Sequence, residues 1–264
     1  RWPTRSARSG ARRDDHPICR QAGGKDRRRV LWRAGFIVGR TLVGLEVQQV
    51  LALREFLASQ KEINGKQIAV MGEGQGGMTA LYAGAVEGRF AAVASLDYFQ
   101  QRENCWEEPV DRVLYGQLNE FADAEVAALI APRPLWIVTK PGVVIPLASV
   151  TAEFSRAQRF YKGLRIPGNL KIIAASNAGL EDAAIKIASL FGGLQKGKTA
   201  EFTLRILPVQ IEGARNQNFE ALFAYLRRLD TVSEQVRADY WQLNSIPPQE
   251  RPLKAQKLRT ELAG

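Results

Sequence analysis

Gly72 to Gly77 (GEGQGG) have the residue types and spacing of a reaction or binding centre. The apolar run Gln67 to Met71 precedes them and reads as a short buried strand. Met78 to Val86 (MTALYAGAV) follows, is rich in helix formers, and reads as a helix. Strand, glycine turn and helix together aim the unpaired N–H groups of the helix start at whatever occupies the turn. Two chemistries use this shape. In G-x-S-x-G the central serine is a nucleophile on a sharp strand-to-helix turn. Gly72, Gly74 and Gly76 fall on the first, third and fifth positions, which puts Gly74, with no side chain, at the nucleophile position. In G-x-G-x-x-G the turn cradles a dinucleotide pyrophosphate, and an acid about 20 residues on takes the ribose. Gly72, Gly74 and Gly77 meet that pattern, and Asp97 ends the next apolar run, Phe90 to Asp97. Spacing alone favours the dinucleotide pattern.

Other residues able to do chemistry are few. A serine nucleophile needs a histidine to take its proton and an acid to hold the imidazole. The one histidine, His16, lies upstream of the turn. Ser95 and Asp97 stand near the end of the second strand. Ser95 reads as a small packing residue or a displaced nucleophile, and Asp97 as a cap, a loop anchor or a displaced acid. Neither has an obvious base partner without histidine. Glu73 and Gln75 flank the turn and read as contacts to a polar ligand or as solvated turn residues. Cys105 lies beside Trp106 with nothing evident to lower its pKa, and with Cys19 as the only other cysteine no disulfide framework is implied. The candidate pocket is thus Glu73, Gln75, Ser95 and Asp97, with no metal and no cofactor expected.

The elements that must position these residues alternate. Thr41 to Gln60 carries the broad apolar face of an amphipathic helix, and Asn64-Gly65 is a turn signal before the central strand. Val30 to Val38 reads as a strand or a first helical segment. Residues 98–109 form a polar loop, and Val113 to Ala131 gives one or two short helices. Leu135 to Thr139 and Leu170 to Ala175 read as strands, Ala148 to Leu164 and Leu180 to Phe191 as helices. Phe202 to Pro208 is a further strand or connector, and Asn216 to Trp241 a long amphipathic helix. Strands alternating with helices imply an α/β fold whose mainly parallel sheet has helices on both faces.

The chain has 264 residues, of which 45% are hydrophobic, enough for one sizeable α/β domain with appendages. No apolar run reaches the ~18 residues of a membrane span, so no membrane partner is expected. The net charge is +10 over the whole chain, and eleven Arg and one Lys against three Asp give the first forty residues +9 of it. Residues 1–29 read as a basic leader without structure, residues 30–245 as the folded domain, and residues 246–264 as a charged linker or tail. The leader lacks interleaved aromatics apart from Trp2 and Trp32, which makes nucleic acid the weakest of the partner readings. It has no apolar core of a secretory signal, and an initial Arg suggests a chain that begins within a longer product.

Residues 39–165 resemble α/β-hydrolases of the acetylxylan-esterase and dienelactone-hydrolase type. The resemblance is carried by Gly39 to Ala52 (GRTLVGLEVQQVLA), Gly72 to Gly77, Leu114 to Pro134 (LYGQLNEFADAEVAALIAPRP) and Val150 to Phe154 (VTAEF). Arg227 to Trp241 is similar to large multi-module bacterial relatives, in which a hydrolase-like module without a complete triad precedes another module. The resemblance implies a partial α/β-hydrolase fold in which Gly72 to Gly76 are the nucleophile elbow, with Glu73 and Gln75 beside Gly74. It places the family's acid near Gly142, in a loop (KPGVVIP) without Asp. The implied function is a catalytically silent hydrolase-like module, structural or ligand-binding, with a small ester or carbohydrate as ligand. The strands that usually precede the elbow strand are not evident, so another module or chain is expected to cover the exposed sheet edge. Two alternatives stay open: a working carboxylic-ester hydrolase with a displaced site, and a dinucleotide-binding module using Gly72, Gly74, Gly77 and Asp97.

Overall fold

The structure, a computed structural model, describes residues 24–103, 106, 108–140, 145–174, 185, 189, 208–242 and 245–263. In chain order its helices and strands are α1 (Gly24–Ile37), α2 (Leu42–Ser59), β1 (Val70–Glu73), α3 (Gln75–Val86), β2 (Val93–Leu96), α4 (Gln117–Glu120), α5 (Asp123–Ile130), β3 (Leu135–Thr139), α6 (Leu147–Gly163), β4 (Leu170–Ala174), α7 (Pro208–Trp241) and α8 (Arg251–Ala263). Two compact units result: Thr41–Arg205, and Arg1–Arg40 with Ile206–Gly264.

The first unit holds one sheet, ordered β1-β2-β3-β4 and parallel throughout. Val70 stands beside Val93, Val93 beside Leu135, and Leu135 beside Leu170. Each crossover between neighbouring strands carries a helix, which gives the α/β class expected from the sequence. A parallel sheet is covered on both faces, which is why its strands are continuous apolar runs. On one face Val93, Leu135, Ile137 and Leu170 pack with Val43 and Val47 of α2, Met78 and Leu81 of α3, Ile130 of α5 and Tyr161 of α6. The other face buries Ala94, Leu96, Trp136 and Val138. Among the described residues no strand lies beyond β1, which is therefore an edge.

Element boundaries moved where turns outlast the composition signal. Thr41 caps α2, its Oγ1 accepting the Gly44 N–H at 3.0 Å. The Asn64 turn reaches further than Gly65: Asn64 accepts the Gln67 N–H at 2.8 Å, and the strand expected from Gln67 begins at Val70. Conversely, α3 begins at Gln75 rather than Met78, because Gly76 and Gly77 already belong to its first turn.

The second unit departs more from expectation. Residues 24–29, assigned above to a leader without structure, form the start of α1, and Val30 to Ile37 takes the helical one of the two readings given for Val30 to Val38. Arg and Lys are good helix formers, and the stretch gains burial: Leu31 is 6% exposed, and Arg27 lies over the Phe219 ring at 5.7 Å and donates to Asn216. The linker expected over 246–264 contains α8, which buries Leu258 and ties Glu261 to the Tyr240 hydroxyl. Pro208, expected to end a strand or a connector, opens α7, where its missing N–H costs nothing. Residues 1–23, including His16 and Cys19, lie outside the described residues, as do Cys105, the acid position at Gly142, residues 202–207, and most of the helix expected over 180–191. No single helix among the described residues is long and apolar enough to cross a membrane.

Candidate functional site

The turn between β1 and α3 is pinned from both sides. The Gly74 N–H donates to the Leu96 carbonyl on β2 at 2.9 Å, and the Gly74 carbonyl accepts from Met78 at 3.1 Å. Gly74 lies at φ 55°, ψ −115°, a conformation open to glycine and strained for any other residue. Among the described residues, a Cβ built on Gly74 would meet nothing within 4 Å. That is the property a nucleophile elbow exists to create. Two neighbouring glycines are fixed by close approach. A Cβ on Gly72 would lie 2.1 Å from the Gly76 carbonyl oxygen, and one on Gly77 would lie 2.5 Å from the Leu96 carbonyl oxygen. Gly76 has no such neighbour. Ser95 is fully buried on β2, and its Oγ donates to the Gly77 carbonyl at 3.0 Å, tying strand to helix.

Three charged groups meet at the carboxyl ends of three adjacent strands. Glu73 ends β1, Asp97 follows β2, and Lys140 follows β3. The Lys140 ammonium pairs with the Glu73 carboxylate and lies 3.2 Å from Asp97 Oδ2. Asp97 takes a positive φ of 51°, unusual for a side-chain-bearing residue, and its side chain is only 8% exposed. Neither Asp97 oxygen receives a well-aligned hydrogen bond. Burial pushes its carboxyl above the ordinary range, and the nearby Lys140 backbone N–H pulls it part of the way back without aligning as a bond.

A second set of contacts anchors the other flank of the turn. Gln75 Nε2 donates to Glu46 at 2.8 Å, and Gln75 Oε1 accepts from Arg112 Nε at 2.7 Å. Arg112 also donates to Glu108 at 3.3 Å, and Glu108 in turn accepts from Arg102 at 2.7 Å. Arg102 forms a two-point pair with fully buried Asp123, Nε to Oδ1 at 2.9 Å and Nη2 to Oδ2 at 2.7 Å, and stacks on the Tyr98 ring at 3.9 Å. The polar loop read from the sequence is therefore tethered at several points to the residue beside Gly74.

Lys140 brings Glu73 and Asp97 together, the Gln75 side chain joins Glu46 and Arg112, and Ser95 lies inside the sheet with its hydroxyl on Gly77. Sequence reasoning missed Lys140, Glu46, Arg112 and Arg102. One signal was available for Lys140: it directly follows a parallel strand, so it had to stand at the same sheet end as Glu73 and Asp97.

No family model matches the chain, and no curated protein does. Solved structures do. A methylesterase is 25% identical over 61% of this chain and 38% of its own, with a TM-score of 0.45. A family 15 glucuronoyl esterase from Caldicellulosiruptor kristjansonii is 17% identical over 65% of this chain and 56% of its own, with a TM-score of 0.47. A Bacteroides fragilis protein assigned as an acetyl xylan esterase is 17% identical over 59% of this chain and 41% of its own, with a TM-score of 0.46. This chain spans roughly half or less of the length of such structures. The names of these structures are those of esterases, and each likeness covers 59–65% of this chain.

Proposed function

We propose that this chain is an α/β-hydrolase-like module that does not turn over esters, and that it serves as a structural or ligand-binding part of a larger assembly. The observation that supports the reading is Gly74 itself: an elbow conformation, no described atom within 4 Å of its Cβ position, and no atom to attack a carbonyl. The surroundings agree with that loss. The Glu73 and Asp97 carboxylates share the Lys140 ammonium at the strand ends. Ser95, the displaced nucleophile considered above, is fully buried with its hydroxyl committed to Gly77. Asp97, the ribose acid of the dinucleotide alternative, is paired with Lys140. The outer edge of β1 is the place where another module or chain would add to the sheet.

The test is hydrolysis of p-nitrophenyl acetate by the full chain. The expected rate equals that of heat-denatured protein. Triad removal in working enzymes leaves ~10³-fold catalysis from the oxyanion hole and binding, so a small residual rate that Ser95→Ala leaves untouched is compatible with the proposal. Turnover that Ser95→Ala abolishes would overturn it in favour of a displaced site.

A further inference from the structure

The long helix of the second unit carries a repeat along its length. In α7, Phe219, Leu222, Leu226 and Leu229 alternate at intervals of three and four residues, and Ser233, Val236 and Tyr240 continue the alternation. Such spacing keeps one stripe of a helix turned towards a partner, as in the seam of a coiled coil. The first half of the seam is used within the chain. Phe219 is 5% exposed and Leu226 1%, and Arg27 of α1 lies over the Phe219 ring. The second half is exposed. Val236 is 61% exposed, and Tyr240 is 54% exposed although Glu261 of α8 holds its hydroxyl. Val232, beside the seam, is 46% exposed.

We propose that residues 229–240 of α7 form a self-association seam, on which the same helix of a second copy of this chain docks antiparallel to the first.

Charge selects both the occupant and its direction. Asp230 follows Leu229 and Arg237 follows Val236, so both lie on one edge of the seam. Arg237 lies along it, its Nη1 donating to Ser233 Oγ at 2.9 Å. Asp230 and Arg237 stand two turns apart, too far to pair with each other within one helix. Between identical antiparallel helices this edge meets its own copy. Seating Val236 against Ser233 of the second copy, and Tyr240 against its Leu229, brings Asp230 to its Arg237 and Arg237 to its Asp230. The two-fold axis forms both pairs at once. A parallel pair would set Asp230 opposite Tyr225 and Arg237 opposite Val232, which matches neither charge. Short coiled coils are unstable when their helices must form on association. Here α7 is already a helix of 34 residues, so that cost does not fall on docking. The seam covers about 18 Å of helix at ~1.5 Å per residue. A contact of that size is small, and the expected dimer is reversible.

Sedimentation equilibrium of the full chain, from about 1 µM to about 1 mM, is the experiment. The expected mass rises from one chain to two and stops there. Val236→Glu is expected to hold the chain at one copy with its far-ultraviolet circular dichroism unchanged. Asp230→Arg sets like charges face to face and should weaken association by roughly tenfold or more. Adding Arg237→Asp rebuilds both pairs in reverse and should restore it, a rescue that a parallel pair or a change confined to one helix does not produce. The charge variants serve alone if Val236→Glu does not fold. A single-copy mass at every concentration overturns the inference, as does a mass beyond two. Association that survives Val236→Glu, or that the double variant fails to recover, overturns it as well and places the contact elsewhere.

Discussion

A serine at position 74 would have room and still be strained. Among the described residues nothing lies within 4 Å of its Cβ, but φ 55° with ψ −115° is costly for a residue with a side chain. Gly74→Ser is therefore expected to destabilise the fold by ~1–2 kcal/mol in chemical denaturation, without burst-phase acylation by an activated ester. A neutral result would mean that the turn relaxes away from the elbow; an acyl burst would mean that a base stands nearby. The glycine spacing made this residue legible, because only close backbone approach demands Gly72 and Gly77 together. The charges around it were not legible, since pairing Lys140 with Glu73 requires knowing the strand order. Asp97 carries a pH signature. Burial raises its carboxyl above the ordinary value of 3.8, with Glu73 and Lys140 facing it. Raised in the folded state, it favours folding most below that ordinary value, and the contribution is lost as pH rises through the shifted one. Asp97→Asn should flatten the stability profile above the ordinary carboxyl range and cost little at neutral pH. A steep loss of stability at neutral pH would show that the Lys140 pair outweighs burial.

The connection from β2 to α5 is held by one polar side chain as well as by the buried rings of Tyr98 and Phe99. Arg102 joins Tyr98, Glu108 and Asp123, and Asp123 is fully buried with both oxygens on the guanidinium. Asp123 Oδ2 also accepts the Gln100 N–H at 3.0 Å, so one carboxylate organises the start of the loop. Composition identified residues 98–109 as a polar loop and one or two short helices over Val113 to Ala131, but it could not connect them. The tether joins residues 21 apart in sequence, which no local pattern records. Replacing both members of a buried pair with apolar residues is often tolerated, while removing one partner strands the other's charge at a cost of about 3–5 kcal/mol. Asp123→Asn keeps the volume and removes the charge, so it is expected to fall near the lower end of that range, ~3 kcal/mol. Urea denaturation measures it. A change within ~0.5 kcal/mol, typical of surface sites, would mean that water reaches Arg102 and the pair is not the anchor it resembles.

At the scale of the molecule, the sequence disclosed the alternating unit and misjudged both ends. The parallel sheet follows from periodicity that each segment carries within itself. The second unit does not: Arg27 meets Asn216 across 189 residues, and a basic, sparsely apolar helix such as α1 looks unstructured until its partner is known. Among the described residues its core is small, built from Leu31, Phe219, Leu226 and Leu258. Small cores are sensitive to single truncations. Leu226 is 1% exposed, and Leu226→Ala removes buried carbon at a cost of about 2–5 kcal/mol where the cavity does not collapse. Because Thr41–Arg205 and the remainder of the chain form separate compact units, the loss should be local. Native-state hydrogen exchange is the measurement. Amides around Phe219 to Leu229 in α7 are expected to lose protection by at least tenfold, the equivalent of ~1.4 kcal/mol. Those of Val93–Leu96 and Leu135–Thr139 in the sheet should keep theirs. Equal losses in the helix and the strands would show that the two units open together, as one cooperative structure.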